Sequence, residues 1–165
     1  MRSNLTHFKA SDDKELFVHE WAPDEGEIKG IVHVAHGMAE HGARYERLAE
    51  ALTKAGYAVY ANDHRGHGNT ARTADELGYF AEKAGWRRVI DDLREHLDRE
   101  AAAHPGAPVV LFGHSMGSFM AQQLLYEDGA RFAAAVLCAS NGKPAPIAAV
   151  GKLVARAERA RLGKH

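Results

Sequence analysis

Residues Val109–Met120 read Val-Val-Leu-Phe-Gly-His-Ser-Met-Gly-Ser-Phe-Met, and the rest of the chain is organised around this stretch. It begins as an apolar, β-branched run that is typical of a buried strand, and it continues as a helix-compatible segment. The residues between them, Gly113–Gly117, have the form Gly-x-Ser-x-Gly. That motif is informative where it joins a strand to a helix through a sharp turn, and the flanking residues predict such a turn here.

The predicted turn gives Ser115 a chemical role. Small residues on both sides let the chain turn tightly, so that the serine hydroxyl projects above the sheet. A helix that begins directly after Ser115 points free N–H groups and partial positive charge at the place where an oxyanion would form. The sequence therefore predicts a nucleophile elbow with Ser115 at its tip.

Length and composition limit the class of protein. The chain has 165 residues, of which 45% are hydrophobic and 26% charged, as expected for one globular domain with its own core. A net charge of −1 gives no reason to expect nucleic-acid binding. Cys138 is the only cysteine, which favours a reducing compartment, and Met1–Ala10 does not resemble a signal peptide. No run is apolar enough to span a membrane, so we expect a soluble cytoplasmic protein.

Strands alternate with amphipathic helices along the chain. A hairpin is predicted from Leu5–Phe8 and Phe17–Trp21, further strands at Ile31–Ala35, Tyr57–Ala61, Val109–Phe112 and Ala133–Ala139, and helices at Tyr45–Gly56, Trp86–Ala103 and Met116–Tyr126. This order predicts an α/β fold with a mainly parallel sheet and helices on both faces. In the helix Trp86–Ala103, charged residues that include Asp92 are expected to cover the outer face. His36, Asp63 and Ser115 all fall at carboxyl ends of strands, where such sheets bind ligands.

The last part of the chain has a different character. We expect residues 1–140 to form the core and residues 141–165 to form a linker and the start of a cap, or lid. Asn141–Pro146 is rich in glycine and proline, and Ile147–His165 is basic and amphipathic. A helix of this kind would lie either on a membrane surface or, as a cap, over the site.

Three stretches resemble the α/β-hydrolase superfamily, and within it the monoacylglycerol lipase and lysophospholipase-like group of serine aminopeptidase S33 type. They are the loop His36–Tyr45, the loop Asp63–Gly68 and the elbow Gly113–Gly117. The likeness runs from about Phe17 to the end of the chain and covers only the family's N-terminal portion. It implies an α/β-hydrolase fold that is incomplete at its C-terminal side.

The resemblance also implies residue roles. Ser115 would attack the carbonyl of a small ester or lipid such as a monoacylglycerol or lysophospholipid, and water would then hydrolyse the acyl-enzyme. The backbone amides of Met38 and Met116 would form the oxyanion hole. This chemistry needs neither a metal nor an organic cofactor.

The resemblance leaves the catalytic triad incomplete, because the fold places its acid and then its histidine after the serine. Glu127 and Asp128 lie at the far end of the elbow helix, and the only later histidine is His165 in the expected cap. His36 and His114 are not expected to serve as the base, which must reach the serine hydroxyl. The triad acid and histidine are therefore expected outside this chain.

Missing strands would leave an exposed sheet edge near Ala133–Ala139. We therefore expect the chain to associate with a complementary C-terminal fragment or with copies of itself, and to be inactive alone. The alternative is a non-catalytic scaffold or assembly module that retains half of the hydrolase fold.

Two histidine pairs, His33-x-x-His36 and His64-x-x-His67, have spacings that metal ligands use. The first pair lies where a strand enters a loop, and residues three apart on a strand point to opposite faces. The second lies in a glycine-rich loop. We therefore expect no metal site, and we expect these histidines to hold loops in place by hydrogen bonding. No glycine-rich phosphate loop follows a strand, so nucleotide binding is not expected.

Overall fold

The computed structural model describes residues 1–142 and 146–163. Its centre is one six-stranded sheet with the order β1-β2-β4-β3-β5-β6. The strands are β1 (Arg2–Lys9), β2 (Glu15–Ala22), β3 (Gly30–Ala35), β4 (Tyr57–Asn62), β5 (Val109–His114) and β6 (Ala134–Cys138), and the helices are α1 (Glu46–Lys54), α2 (Gly85–Ala103), α3 (Met116–Asp128) and α4 (Ile147–Leu162). The first two strands form the predicted antiparallel hairpin, and β2 also runs antiparallel to β4. The pairs β3–β4, β3–β5 and β5–β6 are parallel.

Apolar residues are buried on both faces of the sheet. On one face α2 and α3 cover β3 and β5, with Leu93 and Met120 packed in the same cluster as Leu111. On the other face α1 contributes Ala49 to a second cluster around Val34. Each fully buried leucine or isoleucine in these layers is worth about 2 kcal/mol of apolar burial. The predicted α/β class, with helices on both faces of a mainly parallel sheet, is confirmed.

Strand β6 forms one border of the sheet. Of the strands in the described part of the chain it pairs with β5 alone, and all five of its residues are exposed, including Val136 and Leu137 at 47% and 40%. The predicted open edge at Ala133–Ala139 is therefore present, with β6 at its centre.

Asp92 is a correction to the sequence analysis, because it is buried rather than on the outer face of α2. Arg65 donates from Nε to Oδ2 of Asp92 at 2.6 Å and from Nη2 to Oδ1 at 2.7 Å. Burial raises the pKa of the Asp92 carboxyl, and Arg65 only partly offsets this effect. Hydrophobic periodicity assigns charged residues to solvent, and it cannot reveal a bidentate partner 27 residues away along the chain.

The amphipathic segment expected at Ile147–His165 is the helix α4, and none of its residues is buried. Its apolar residues are exposed, among them Ile147, Leu153 and Val154. Part of the expected linker (residues 143–145) and the last two residues, including His165, lie outside the described residues. Of the helices in the described ranges, none has both the length and the apolar character needed to cross a bilayer.

Candidate active site

Ser115 lies at the sharp turn between β5 and α3. Its backbone has φ +49° and ψ −118°, a conformation that residues with a Cβ rarely adopt and that costs about 1–3 kcal/mol. Three hydrogen bonds hold this turn: the Ser115 N–H donates to the Cys138 carbonyl at 3.0 Å, and the Ser118 N–H and hydroxyl donate to the Ser115 carbonyl at 2.9 and 2.6 Å. The strained residue is thus held from β6 and from the first turn of α3.

The two glycines of the motif allow this close packing. A Cβ atom on Gly117 would overlap the carbonyl oxygen of Ala35 and lie 2.6 Å from that of His36. A Cβ on Gly113 would lie 2.6 Å from the Gly117 carbonyl oxygen and 2.8 Å from the Ala121 side chain. The elbow helix therefore sits against the end of β3 at a distance that only glycine permits.

The loop after β3 lies directly beside the serine. A Cβ on Gly37 would be 3.2 Å from the Ser115 Cβ and 3.2 Å from Nδ1 of His114. The next residue, Met38, has a 69% exposed side chain, and Ala39 has a left-handed backbone with φ +57°. The amides of Met38 and Met116 donate no hydrogen bond to any acceptor in the part of the chain that the structure describes. Both amides therefore remain available as donors.

Glu40 organises this loop, although the sequence analysis gave it no role. Its Oε2 accepts from the Gly37 N–H at 3.3 Å and from the Tyr45 hydroxyl at 2.9 Å. Its Oε1 accepts from Nη1 of Arg44 at 2.9 Å and faces Nδ1 of His114 at 3.2 Å. Burial raises the pKa of Glu40, but the donors Tyr45 and Gly37 outweigh it and keep this pKa below its ordinary value. Four of these residues lie within the stretch from Gly37 to Tyr45, and the fifth, His114, lies at the elbow. Contacts within a loop follow no helical or strand periodicity, so the sequence pattern did not predict them.

His36 joins the loop after β3 to the loop after β4. The His64 N–H donates to Nε2 of His36 at 3.0 Å, so Nε2 carries no proton, and Nδ1 of His36 donates to the Gly37 carbonyl at 2.8 Å. In return, Nε2 of His64 donates to the His36 carbonyl at 3.2 Å. Burial lowers the pKa of His36 to about 4. These two histidines therefore hold loops by hydrogen bonding, as expected from the sequence.

Asp63 anchors the loop after β4. It accepts from the Gly42 N–H and from the Asn69 N–H, each at 2.7 Å. The carboxylate thus connects the loops that follow β3 and β4. It lies at the carboxyl end of its strand, as expected.

Among the described residues, the structure brings no general base to Ser115. Within residues 1–142 and 146–163, no side chain forms a hydrogen bond with its Oγ. Both ring nitrogens of His36 are occupied by the contacts above. Glu127 and Asp128 instead pair with Arg94 on α2, Asp128 at 2.5 Å. His165, the remaining candidate from the sequence, lies outside the described residues.

Comparisons with known proteins identify the family and the fold. Residues 26–164 match the family described as serine aminopeptidase, S33. Human monoglyceride lipase is 35% identical over 134 residues, which are 81% of this chain and 42% of that enzyme. A monoacylglycerol lipase of Mycolicibacterium smegmatis is 37% identical over 112 residues, 68% of this chain and 36% of the relative.

A solved structure has the same fold. A thermostable carboxyl esterase from Bacillus coagulans, determined in complex with glycerol, superposes with a TM-score of 0.85 and 29% sequence identity. The superposition covers 99% of this chain and 52% of the esterase. The chain thus spans about half, or less, of the length of these proteins.

Proposed function

The chain belongs to the serine aminopeptidase S33 family of α/β-hydrolases, and from this we propose that it is the N-terminal part of a serine hydrolase that cleaves carboxylic esters. The observation that carries the proposal is the strained backbone of Ser115, φ +49°, at a strand-to-helix turn beside the Gly37 loop. Such a conformation persists only where the surrounding structure holds it, and it is characteristic of functional sites.

In the proposed reaction, Oγ of Ser115 attacks the ester carbonyl and its proton passes to a general base. The amides of Met38 and Met116 donate to the oxyanion of the tetrahedral intermediate. Such a donor is worth about a 10²- to 10³-fold increase in rate, because it is already oriented before charge develops. The bond to the alcohol then breaks, the alcohol takes the proton, and water releases the acid from the acyl-enzyme.

We assign the triad acid and histidine to a part of the protein outside this chain. Support comes from the Ser115 hydroxyl, which has no hydrogen-bonding base among the described residues, and from the exposed strand β6. Further protein that pairs with the exposed edge of β6 would extend the sheet. Its loops would then supply the acid and histidine to Ser115. Residues 1–140 would then be part of the core, and residues 141–165 a linker and the start of the cap.

The proposed substrates are monoacylglycerols or lysophospholipid-like esters. The support is the similarity to two lipases named for monoacylglycerol and to an esterase that was determined with glycerol. The exposed side chain of Met38, next to Gly37 and hence close to Ser115, offers a flexible apolar surface for an acyl chain.

A fluorophosphonate probe tests the proposal in the intact assembly. This assembly is the chain together with the further protein that pairs with β6 and carries the triad acid and histidine. We expect covalent labelling at Ser115 and hydrolysis of a monoacylglycerol, both abolished by Ser115→Ala. Ser140→Ala is the matched control, since Ser140 is exposed and lies outside the elbow, and it should leave both readouts unchanged. An assembly with a complete sheet but no labelling would instead support the non-catalytic scaffold.

A further inference from the structure

We propose that His33, His96 and Glu100 form a binding site for one divalent transition-metal ion, with zinc as the best match. The three residues lie together in the core, at 0%, 3% and 2% exposure, and the proposed reaction at Ser115 uses none of them. One ligand atom from each residue lies within 4.8 Å of the other two. The site is separate from the pairs His33-x-x-His36 and His64-x-x-His67, whose spacing drew attention in the sequence.

Among the described residues, three buried polar atoms of this cluster have no hydrogen-bond partner. Nδ1 of His33 lies 2.6 Å from Oε1 of Glu100, and Nε2 of His96 lies 3.3 Å from the same oxygen. Nε2 of His33, Nδ1 of His96 and Oε2 of Glu100 are buried without a hydrogen-bond partner. A buried polar atom without a partner costs about 1–3 kcal/mol, so the core holds this polar cluster at a cost in stability.

The nitrogen and oxygen atoms of this cluster favour a metal ion such as zinc as the ligand. Two imidazole nitrogens and one carboxylate oxygen are the three protein ligands that zinc has in many open sites. A cation also balances the buried carboxylate, and it would take the place of the proton that His33 and Glu100 share. Ligand atoms about 2.1 Å from a tetrahedral ion lie about 3.4 Å apart. Nε2 of His96 already lies 3.3 Å from Oε1 of Glu100, and Nδ1 of His33, now 2.6 Å from that oxygen, would move slightly outward to admit the ion.

The surrounding structure holds the ligands in place. His96 and Glu100 lie one turn apart on α2, and His33 lies within the buried strand β3. The Phe8 ring stacks on His96 with centroids 5.5 Å apart, and the Tyr60 ring meets the same imidazole edge-on at 6.0 Å. These contacts fix the orientation of His96 before a metal binds.

A cavity provides an entry route. It has a volume of about 370 Å³, and both His96 and Glu100 form part of its wall, together with polar residues such as Thr6 and Glu20. An ion could reach the cluster from this side and keep one position for a ligand from the cavity.

Isothermal titration of the metal-free chain with Zn²⁺, and absorption spectra with Co²⁺, test the site without any catalytic readout. We expect one saturable site per chain and a rise in melting temperature on zinc addition, because only the folded state assembles the ligands. His96→Gln and Glu100→Gln should each weaken binding by 10-fold or more. His41→Gln, at an exposed histidine, is the control and should not change the affinity.

Anomalous diffraction at the zinc edge from crystals of the unmodified chain locates the ion even if the variants fold poorly. A peak about 2.0–2.2 Å from a nitrogen of His33 or His96 and an oxygen of Glu100 is the expected result. Binding that is equally strong in both variants, or a peak only at surface histidines, would show that the cluster merely shares a proton. The presence or absence of ester hydrolysis does not bear on this outcome.

Discussion

Gly117 is the point at which the elbow helix comes closest to the sheet. The carbonyl oxygens of Ala35 and His36 occupy the space that any side chain at Gly117 would need. Backbone atoms cannot rotate away as a flexible side chain can, so a substitution there must move the helix or the end of β3. Helix α3 and the end of β3 both position Ser115. A substitution at Gly117 therefore affects the stability of the fold and the geometry of the site together.

We expect Gly117→Ala to lower the free energy of unfolding by about 3 kcal/mol, the upper end of the usual cost of overpacking. Gly129→Ala, at the other end of the same helix, is the control, because a Cβ there meets nothing within 4 Å. Urea unfolding of both variants measures the difference. Equal stability of the two variants would mean that α3 does not lie against β3 as described.

His36 makes the stability of the molecule depend on pH. Its pKa is lowered by burial to about 4, whereas an unfolded chain has a histidine pKa near 6.5. Between these values the unfolded state binds a proton that the folded state does not, so stability falls as the pH falls. The contribution of His36 is fully present above about pH 6.5 and decreases by about 1.4 kcal/mol per pH unit below it, until the pH reaches the folded pKa.

Replacing His36 with glutamine should therefore make the free energy of unfolding less dependent on pH between about 4.5 and 6. The expected decrease in slope is about one proton, or 1.4 kcal/mol per pH unit. Denaturant titrations at several pH values provide the measurement, with His41→Gln as the exposed control. If both variants keep the original slope, His36 is not buried in its neutral form.

At this scale, the sequence predicted the sharp turn at Ser115, because that turn depends on local chain geometry. Ser115 and its flanking glycines belong to one turn, so their spacing was sufficient. Asp92 and Glu100 were missed because their partners, Arg65 and His33, lie 27 and 67 residues away. Only the folded chain brings such pairs together.

The regular elements were predicted well wherever hydrophobic periodicity is strong. Strand β3, the helix α2 and the parallel order around β5 follow from apolar runs and an amphipathic stripe. The start of the first helix was less accurate. The sequence indicated Tyr45, whereas a short 3-10 turn occupies Gly42–Tyr45 and α1 begins at Glu46. The interaction of Glu40 with Tyr45 favours the tighter turn, and periodicity does not encode this contact.

The exposed helix α4 is the element about which the structure says least. It begins after the short gap in the described residues and buries none of its own. The two expectations from the sequence, a cap over the site and a helix on a membrane surface, both stay predictions. The cytoplasmic location inferred from the single cysteine stays a prediction as well.

For the molecule as a whole, the exposed border at β6 is the surface at which we expect association. Unpaired backbone groups along an edge strand attract further strands, and Val136 and Leu137 add apolar surface to this edge. We expect the isolated chain to self-associate as its concentration rises, which analytical ultracentrifugation would detect.

Val136→Lys should reduce this association, since an inserted charge resists edge-to-edge pairing. The control is Val150→Lys, at an exposed valine of α4, outside the strand β6. A chain that stays monomeric at every concentration would contradict the prediction, as would equal effects of the two substitutions.

The hydrogen bond from the Ser115 amide to the Cys138 carbonyl has a consequence beyond local geometry. Its acceptor belongs to β6, so the backbone of Ser115 is held by the border strand of the sheet. A protein segment that pairs with β6 would stabilise the turn at Ser115, and in the proposed function the same protein would supply the general base. If the proposed function holds, assembly would complete the active site and stabilise the Ser115 turn in a single event, and the unassembled chain would not attack esters.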